Sequence, residues 1–411
     1  MSGTEKKKNP KYTILTLLFI GWCLSYLDRM AMNVSIVEIA KEFHLSPSAL
    51  GIVLSSFFAG YALMQVPGGW LADKYGSRKI ITIAIIFWSL FTVFTGFAWS
   101  LLSMIMIRFL FGLGEGAYPA ASSKAIADTF PKQERSMAQT VMMSSNSLGG
   151  VIAPLVATPL LVWISWRNVF IVIGALGIIV AWLLWHYLKP ENLIENATEE
   201  KSANKVPLHE VMKNATLWKL SIMWFGMSTL IWGLISWMPV YLTQVRGLDL
   251  LSMGMLTSIP ALTGAIGTII GGRLFLKYFH GRERTYATLF SLLAILFLYL
   301  LFNAPSVVLV ITYQSLCTAF HGLVFAIIMA MPHQVFEKTV IGSSIGFINF
   351  FGMIGALLAP TVMGMLIEMF HGSYPAAFGY LIACACLSVL ASITLVRSMK
   401  SNADMPAQSE G

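Results

Sequence analysis

The sequence predicts an all-α membrane protein of twelve transmembrane helices in two halves of six. Of its 411 residues, 57% are hydrophobic and 11% are charged, whereas soluble domains carry roughly 25% charged residues. The apolar residues fall in runs of about 18 to 27, and a helix needs about 20 residues to cross a hydrocarbon core of ~30 Å. A water-soluble fold cannot bury this much apolar surface, so the runs are predicted to be membrane spans.

One long polar segment divides these runs into two sets. The predicted organisation is an amino-terminal six-helix bundle at residues 1–188, a cytoplasmic linker at 189–217 and a carboxyl-terminal six-helix bundle at 218–411. The first span is expected at 12–33 and the fourth at 101–127. The first span is expected to stay as an anchor, because it is too long for a signal peptide and lacks a small-residue cleavage site.

The two halves share a weak internal repeat. Asn146 is followed by Pro154 in the fifth span, and Asn349 is followed by Pro360 in the eleventh. Repeated six-helix halves are typical of transporters that bind substrate between the halves, near the middle of the membrane.

The distribution of positive charge predicts the orientation. With the amino terminus inside, only Lys41, Arg167 and Arg246 of the 27 lysine and arginine residues lie outside, and two more, Arg29 and Arg108, lie within spans. This bias follows the positive-inside rule, so both termini are predicted to be cytoplasmic. The net charge of +8 therefore reflects topology and does not indicate a nucleic-acid partner.

Neither a cofactor nor an enzymatic activity is expected. All cysteines lie inside apolar segments and are interpreted as packing residues rather than metal ligands: Cys23, Cys317, Cys384 and Cys386. The sequence contains no phosphate-binding loop, metal-ligand spacing or nucleophile elbow.

Four ionisable side chains are predicted to lie within the hydrocarbon slab: Asp28, Arg29, Arg108 and Glu115. Each costs at least ~2.5 to 3.5 kcal/mol there, so all four are expected to face the bundle interior. The first span runs outward and the fourth inward, which places Asp28 and Arg108 at matching depth, about 7 to 11 Å below the outer boundary. An ion pair between these two is predicted, and Arg29 is expected to remain free for an anion.

Glu115 is predicted to carry a proton. It lies about 10 Å along the helix axis from Arg108, which is too far for a direct bond. Burial disfavours the charged form of a carboxyl group, so Glu115, together with Asp28, is expected to exchange protons during transport.

A loop between the second and third spans carries a recognisable motif. Residues 68–79 read GGWLADKYGSRK, which matches the pattern G-x-L-A-D-[RK]-x-G-[RK]-[RK] except at Ser77. This motif resembles the signature of the major facilitator superfamily, and the resemblance implies that superfamily's twelve-helix fold. The loop residues of interest are Gly69, Asp73, Gly76, Arg78 and Lys79. Gly69 is expected to permit close helix approach, and Asp73 to accept from a helix N-terminus or a basic side chain.

Further motifs resemble the anion:cation symporter family within that superfamily. The motifs are YLDR at 26–29, YALMQVPGG at 61–69, RFLFGLGEGAYPA at 108–120 and FPKQER at 130–135. The resemblance to the family's bacterial sugar-acid carriers implies uptake of an organic anion across a bacterial inner membrane, driven by protons or sodium. It also implies that the hydroxyl of Tyr61 bonds a substrate carboxylate or hydroxyl.

Several polar and aromatic residues in the spans are further candidates. Asn146 and Asn349 can each donate and accept, which suits a hydroxylated ligand, although interhelical bonding is the alternative. Trp237 can stack on a ligand or join an aromatic belt. His321 is interpreted as a neutral, helix-bonded imidazole or as a second proton site.

The expected function is import of a small organic anion, such as a hexonate or hexuronate, by proton symport through alternating access in a monomer. Leu276 stands where the repeated loop motif would place an aspartate, which leaves aromatic or short carboxylates and sulfonates open as substrates. A drug or metabolite efflux antiporter of the same superfamily and a non-transporting membrane sensor are the alternatives.

Overall fold

The chain is helical throughout the part that the structure describes. This structure is a computed structural model, and it describes residues 10–189, 212–279, 281–336 and 340–395. Every regular element within those ranges is a helix. Most of the predicted linker at 189–217 lies outside the described residues.

The helices are, in chain order, α1 (Pro10–Phe43), α2 (Pro47–Tyr75), α3 (Ser77–Gly96), α4 (Leu101–Gly116), α5 (Tyr118–Thr129), α6 (Lys132–Tyr187), α7 (Ala215–Val240), α8 (Leu250–Leu274), α9 (Glu283–Phe302), α10 (Val307–Ala330), α11 (Pro332–Val335), α12 (Ile341–Met369) and α13 (Pro375–Ile393). Short π-helical turns at Tyr241–Val245 and Phe275–Phe279 extend α7 and α8.

The predicted number of membrane crossings is confirmed. Within the described ranges, eleven helical stretches are long and apolar enough to cross a membrane. One of them, α6, has 56 residues and as a straight helix would be about 80 Å long, against a hydrocarbon core of ~30 Å. Its backbone breaks at Ser165, where φ is +68°. Because α6 supplies two crossings, the described residues provide twelve.

The first helix is longer than predicted. It continues to Phe43 instead of ending at Asn33. Residues 34–43 contain neither glycine nor proline, so nothing in this segment stops a helix that has already formed. The apolar run marks the hydrocarbon boundary, and the helix itself ends beyond it.

The predicted fourth span is interrupted near its middle. α4 ends at Gly116 and α5 begins at Tyr118. Pro119 has no N–H with which to bond the carbonyl of Glu115, so one bond of the hydrogen-bond ladder is missing here, while Ala117 between the two helices keeps helical angles of φ −79° and ψ −22°. Glu115 is thereby placed in the last turn of α4.

The described residues divide into two compact units. The first contains α1 to α6 together with Trp232–Leu262 and Ala356–Ala377. The second contains the beginning of α7 and the described residues of Thr263–Gly355 and of 378–395. The first unit therefore includes helix segments from both halves of the sequence.

Glycine residues hold α2 and α4 in contact within the first unit. A Cβ added at Gly60 of α2 would collide with the carbonyl oxygen of Phe109, and one added at Gly112 of α4 would collide with that of Phe57. Small residues allow helix backbones to approach closely in membranes, where packing rather than the hydrophobic effect drives helix association. This contact fixes α4, which carries Arg108 and Glu115, against α2.

A second backbone contact, the α2–α12 seam, joins α2 to the last turns of α12 within the first unit. A Cβ at Gly51 would collide with the carbonyl of Pro360, and a Cβ at Gly364 would collide with the carbonyl of Pro47. The seam therefore has no space for a side chain at either glycine.

Polar contacts complete the α2–α12 seam. Thr361 Oγ1 donates to Ser55 Oγ over 2.7 Å. The backbone N–H of Ser48, in the first turn of α2, donates to Glu368 Oε2 over 3.0 Å. A carboxylate is favourable at a helix N-terminus because the first N–H groups have no partner within the helix.

The α2–α4 contact predicts the effect of one added methyl group. Gly60→Ala should lower the free energy of unfolding by about 1–3 kcal/mol, since the methyl group must displace the Phe109 carbonyl. Thermal unfolding of the purified protein in detergent measures this. Gly150→Ala is the control, because its Cβ meets no atom within 4 Å. Equal melting temperatures for the two variants would contradict the prediction.

Candidate functional site

All four charged residues predicted inside the membrane are buried in the first unit. Asp28 is 1% exposed, Arg29 9%, Arg108 2% and Glu115 0%. α1 supplies the first two and α4 the others. Charges in such positions persist only where they are compensated by a partner of opposite sign.

The predicted ion pair between Asp28 and Arg108 is confirmed. Arg108 Nη1 lies 2.6 Å from Asp28 Oδ1. The other terminal nitrogen of Arg108 donates to the hydroxyl of Thr95 on α3. The guanidinium also lies between aromatic rings, 4.7 Å from the centroid of Phe111 and 5.1 Å from that of Phe170. α1, α3 and α4 are thus tied together at this depth.

The prediction that Arg29 stands free is wrong. Its Nη2 forms an ion pair with Glu115 Oε1. Ser25, one helical turn before Arg29 on α1, donates to the same carboxylate oxygen. The long arginine side chain reaches back along α1 to the level of Ser25, and this reach overcomes the difference in depth between the two residues.

Both ion pairs retain unused hydrogen-bonding capacity. Each carboxylate has one buried oxygen without a partner among the described residues, Asp28 Oδ2 and Glu115 Oε2. Each arginine likewise has an unpartnered buried Nε. Such groups are costly to leave unsatisfied in an apolar interior, so they are available to a proton or a polar ligand.

Aromatic rings surround the guanidinium of Arg29. Its Cζ lies 4.9 Å from the ring centroid of Tyr26, 4.8 Å from that of Phe57 and 5.1 Å from that of Tyr61. The adjoining cavity, which also borders Arg108, has a volume of about 20 Å³. This volume holds about one water molecule. An anion can therefore bind Arg29 only after Glu115 releases it and the cavity expands.

Asn146 lies on the face of α6 that packs against α1. Gly149, one turn later, has so little space beside Tyr26 that its Cβ would lie 2.7 Å from the tyrosine Cβ. The amide oxygen of Asn146 is buried and has no hydrogen-bond partner among the described residues. Asn146 of α6 therefore lies near Tyr26 of α1, and the ring of Tyr26 in turn contacts Arg29.

Two other candidates lie elsewhere. Trp237 is 2% exposed, and its indole N–H donates to the carbonyl of Pro360 over 3.0 Å, which places it beside the α2–α12 seam. Asn349 belongs to the second unit, on α12. No contact within the described residues joins Trp237 to Arg29.

The prediction of a loop at residues 68–79 is wrong, because α2 continues to Tyr75 and α3 begins at Ser77, which leaves only Gly76 between them. Side chains of this motif contact two other helices, α5 and α6. Lys124 Nζ lies 3.8 Å from Asp73 Oδ1, which supplies the basic partner expected for that aspartate. Arg78 donates two hydrogen bonds, 2.7 and 3.1 Å long, to the backbone carbonyl of Trp185. Its guanidinium carbon also lies 3.9 Å from the centroid of the Trp185 ring. These contacts join α3 to the end of α6.

Glycine positions in this motif differ in part from the expectation. A Cβ added at Gly69 would lie 3.5 Å from the Cβ of Ala120, which is an ordinary contact. A Cβ added at Gly68 would lie only 2.5 Å from Ala117 Cα, which is a collision. The close approach therefore occurs at Gly68. Gly76 has φ +89°, a conformation that favours glycine, and it separates α2 from α3.

Ser25 and Thr95 are site residues that sequence reasoning missed. Ser25 precedes Arg29 by four residues and so shares its helix face, a signal that was present in the sequence. Thr95 lies on a different helix from Arg108, and no spacing indicates their contact.

A bundle of membrane-spanning helices that holds compensated charges in its interior has the construction of a secondary transporter. The family model of the Major Facilitator Superfamily matches residues 18–360. The chain belongs to this superfamily. It is therefore a multi-pass membrane transporter and not an enzyme.

Curated relatives match along nearly the whole chain. It is 30% identical to the probable galactarate/D-glucarate transporter GarP of Escherichia coli (strain K12), over 96% of this chain and 97% of the relative. It is 29% identical to the hexuronate transporter of Bacillus subtilis (strain 168), over 97% of each. It is 32% identical to the probable sulfoacetate transporter SauU of Cupriavidus necator, over 99% and 98%.

A solved structure supports the fold. A bacterial homologue of the human lysosomal transporter Spinster, in an inward-facing and unoccupied conformation, superposes with a TM-score of 0.82. The match has 22% sequence identity and covers 94% of this chain and 96% of the other.

The buried Asp28–Arg108 pair predicts a large cost for removing one charge. Asp28→Asn should lower the free energy of unfolding by about 3–5 kcal/mol, because Arg108 is left buried without its counter-charge. Glu42→Gln, at the exposed pair with Arg167, should cost only about 0–1 kcal/mol. Thermal unfolding at neutral pH measures both, and equal losses would contradict the prediction.

Proposed function

We propose that the chain imports a small organic anion together with a proton, through alternating access, across a bacterial inner membrane. Both termini are assigned to the cytoplasm, and one chain is the functional unit. The named relatives transport galactarate or D-glucarate, hexuronate and sulfoacetate by their printed descriptions, and each of these is a small anion with a carboxylate or sulfonate group. The observation that carries the proposal is the ion pair between Arg29 and Glu115.

The substrate and Glu115 compete for one guanidinium. While Glu115 is ionised it occupies Arg29 and excludes a second carboxylate. When Glu115 takes up a proton its charge is lost, and the planar fork of Arg29 becomes available for two parallel hydrogen bonds to the substrate. Proton uptake therefore precedes or accompanies anion binding at this site.

Charge compensation then makes the coupling obligatory. The empty carrier, with Arg29 and Glu115 paired, is neutral at this site, and so is the carrier that holds both proton and anion. A carrier with the proton alone exposes the bare charge of Arg29, and one with the anion alone carries an excess negative charge. Both uncompensated states are costly to enclose in an apolar interior, so the neutral states are the ones that change conformation.

The remaining candidates complete the proposed site. Tyr61, Asn146 and Asn349 are each assigned to hydrogen bonds with the carboxylate or hydroxyl groups of the anion. Trp237 is assigned to the apolar side of the substrate path. Asp28 and Arg108 hold α1 against α4 and take part in proton coupling through the unpartnered oxygen of Asp28.

The α2–α12 seam is assigned to the outer gate. It belongs to helices from different halves of the sequence, and alternating access requires such contacts to form and break in each cycle. Its backbone-to-backbone packing makes it sensitive to a single added methyl group.

Replacing Glu115 tests the coupling. Glu115→Gln removes the titrating group, so proton-driven accumulation should fall at least tenfold, while exchange of labelled for unlabelled anion persists because Arg29 remains. The measurement is uptake of D-glucarate, a hexuronate and sulfoacetate into proteoliposomes under an imposed pH gradient. Glu134→Gln, at a partly exposed carboxylate paired with Lys11, is the matched control. Undiminished accumulation in Glu115→Gln would remove Glu115 from the mechanism, and a requirement for sodium would replace the proton.

Widening the α2–α12 seam tests the outer gate. Gly51→Ala should hold the seam apart, which should lower exchange about tenfold and speed the labelling of a Ser55→Cys reporter by an impermeant maleimide from outside. Both are measured in a cysteine-free background, with Gly150→Ala as control. If Gly51→Ala leaves the labelling rate unchanged, the seam is not the outer gate.

A further inference from the structure

The second unit contains two buried nitrogen atoms without hydrogen-bond partners among the described residues. They are Trp224 Nε1 on α7 and His321 Nε2 on α10. The two ring centroids lie 6.0 Å apart, with the ring planes inclined by 37°. Buried polar atoms are satisfied in nearly all native proteins, so this adjacent pair indicates a polar ligand group.

One of the two nitrogens is a hydrogen-bond donor and the other is an acceptor. The indole N–H of Trp224 can only donate. A neutral imidazole donates from one ring nitrogen and accepts at the other, and with its proton on Nδ1 His321 presents the unpartnered Nε2 as an acceptor. A donor beside an acceptor matches a hydroxyl group, which can both accept and donate. It does not match a carboxylate, which only accepts.

The surroundings of the pair hold the indole in place. Phe325 packs against Trp224 with ring centroids 4.9 Å apart. A Cβ at Gly352 of α12 would collide with Trp224 Nε1, so the indole lies directly on the backbone of that helix. Asn349 precedes Gly352 by one turn on α12 and is half-buried. Side chains from α7, α10 and α12 thus converge around the indole.

We propose that Trp224 and His321 form a hydroxyl-binding subsite that selects polyhydroxylated acids over acids without hydroxyl groups. Trp224 Nε1 donates to the hydroxyl oxygen, and His321 Nε2 accepts the hydroxyl proton. The inference rests on the proposed function, and it assigns hydroxyl recognition to two residues of the second unit. It also separates sugar acids, which bear hydroxyl groups, from sulfoacetate, which bears none.

The binding of two matched diacids tests the subsite. D-glucarate and adipate have the same carbon skeleton and the same two carboxylates, and only D-glucarate carries hydroxyl groups. Dissociation constants are measured on the purified full-length protein at the pH of strongest wild-type binding. We expect wild type to prefer D-glucarate, and Trp224→Phe and His321→Phe each to weaken D-glucarate binding about tenfold or more while changing adipate binding less than twofold.

A rescue variant and a surface control separate recognition from folding. His321→Gln places an amide oxygen near the position of Nε2 and should restore most of the D-glucarate affinity. Trp163→Phe changes a tryptophan that is 78% exposed and should alter neither constant. Melting temperatures of all variants verify that they are folded.

The outcomes distinguish this inference from the proposed function. If wild type binds both acids equally, or if folded Trp224→Phe and His321→Phe proteins keep the wild-type preference, the subsite is overturned while anion transport stands. If wild type binds no organic acid, sulfoacetate included, the proposed function fails and the subsite fails with it.

Discussion

The pairing of Arg29 with Glu115 is the interaction on which the rest of the site depends. A guanidinium and a carboxylate in an apolar interior are each too costly to leave alone, so each must find a partner in every conformation that the protein adopts. In the mechanism that we propose, this requirement makes the ion pair a switch, because the proton on Glu115 and the anion on Arg29 must arrive together. The aromatic rings of Tyr26, Phe57 and Tyr61 cover the guanidinium, and the cavity of about 20 Å³ beside it has room for only about one water molecule.

The positions of these charged groups are set by how the helices pack and where they end, and not by the charges themselves. α2 and α4 approach through glycines whose missing side chains admit the carbonyls of the opposite helix. α4 ends at Gly116, one residue beyond Glu115, so the carboxylate lies at the junction of α4 and α5. Local chain chemistry therefore determines where the charged groups lie, and the charges determine which states of the site are stable.

Much of the fold follows from the sequence, and the site follows in part. Apolar runs and the distribution of charge predict twelve crossings, because hydrophobicity and span length are properties of a single segment. The Asp28–Arg108 pair was predictable from depth alone, since both side chains extend little beyond their own level. The Arg29–Glu115 pair was not, because a flexible arginine can reach a full turn along its helix, and only the packed neighbours decide its direction. The hydrogen bond from Trp237 to the carbonyl of Pro360 was equally unpredictable, since no pattern in the sequence indicates which backbone carbonyl accepts from a distant indole.

The α2–α12 seam has a kinetic consequence. Its contacts are mostly between main-chain atoms and hydroxyl groups, and Glu368 is the one formal charge described in it. Helices joined in this way separate without breaking ion pairs. The strength of their contact changes little with salt concentration, because salt screens interactions between charges and not close packing. If the seam opens and closes as the outer gate that we propose, the rate of its opening should therefore depend little on ionic strength.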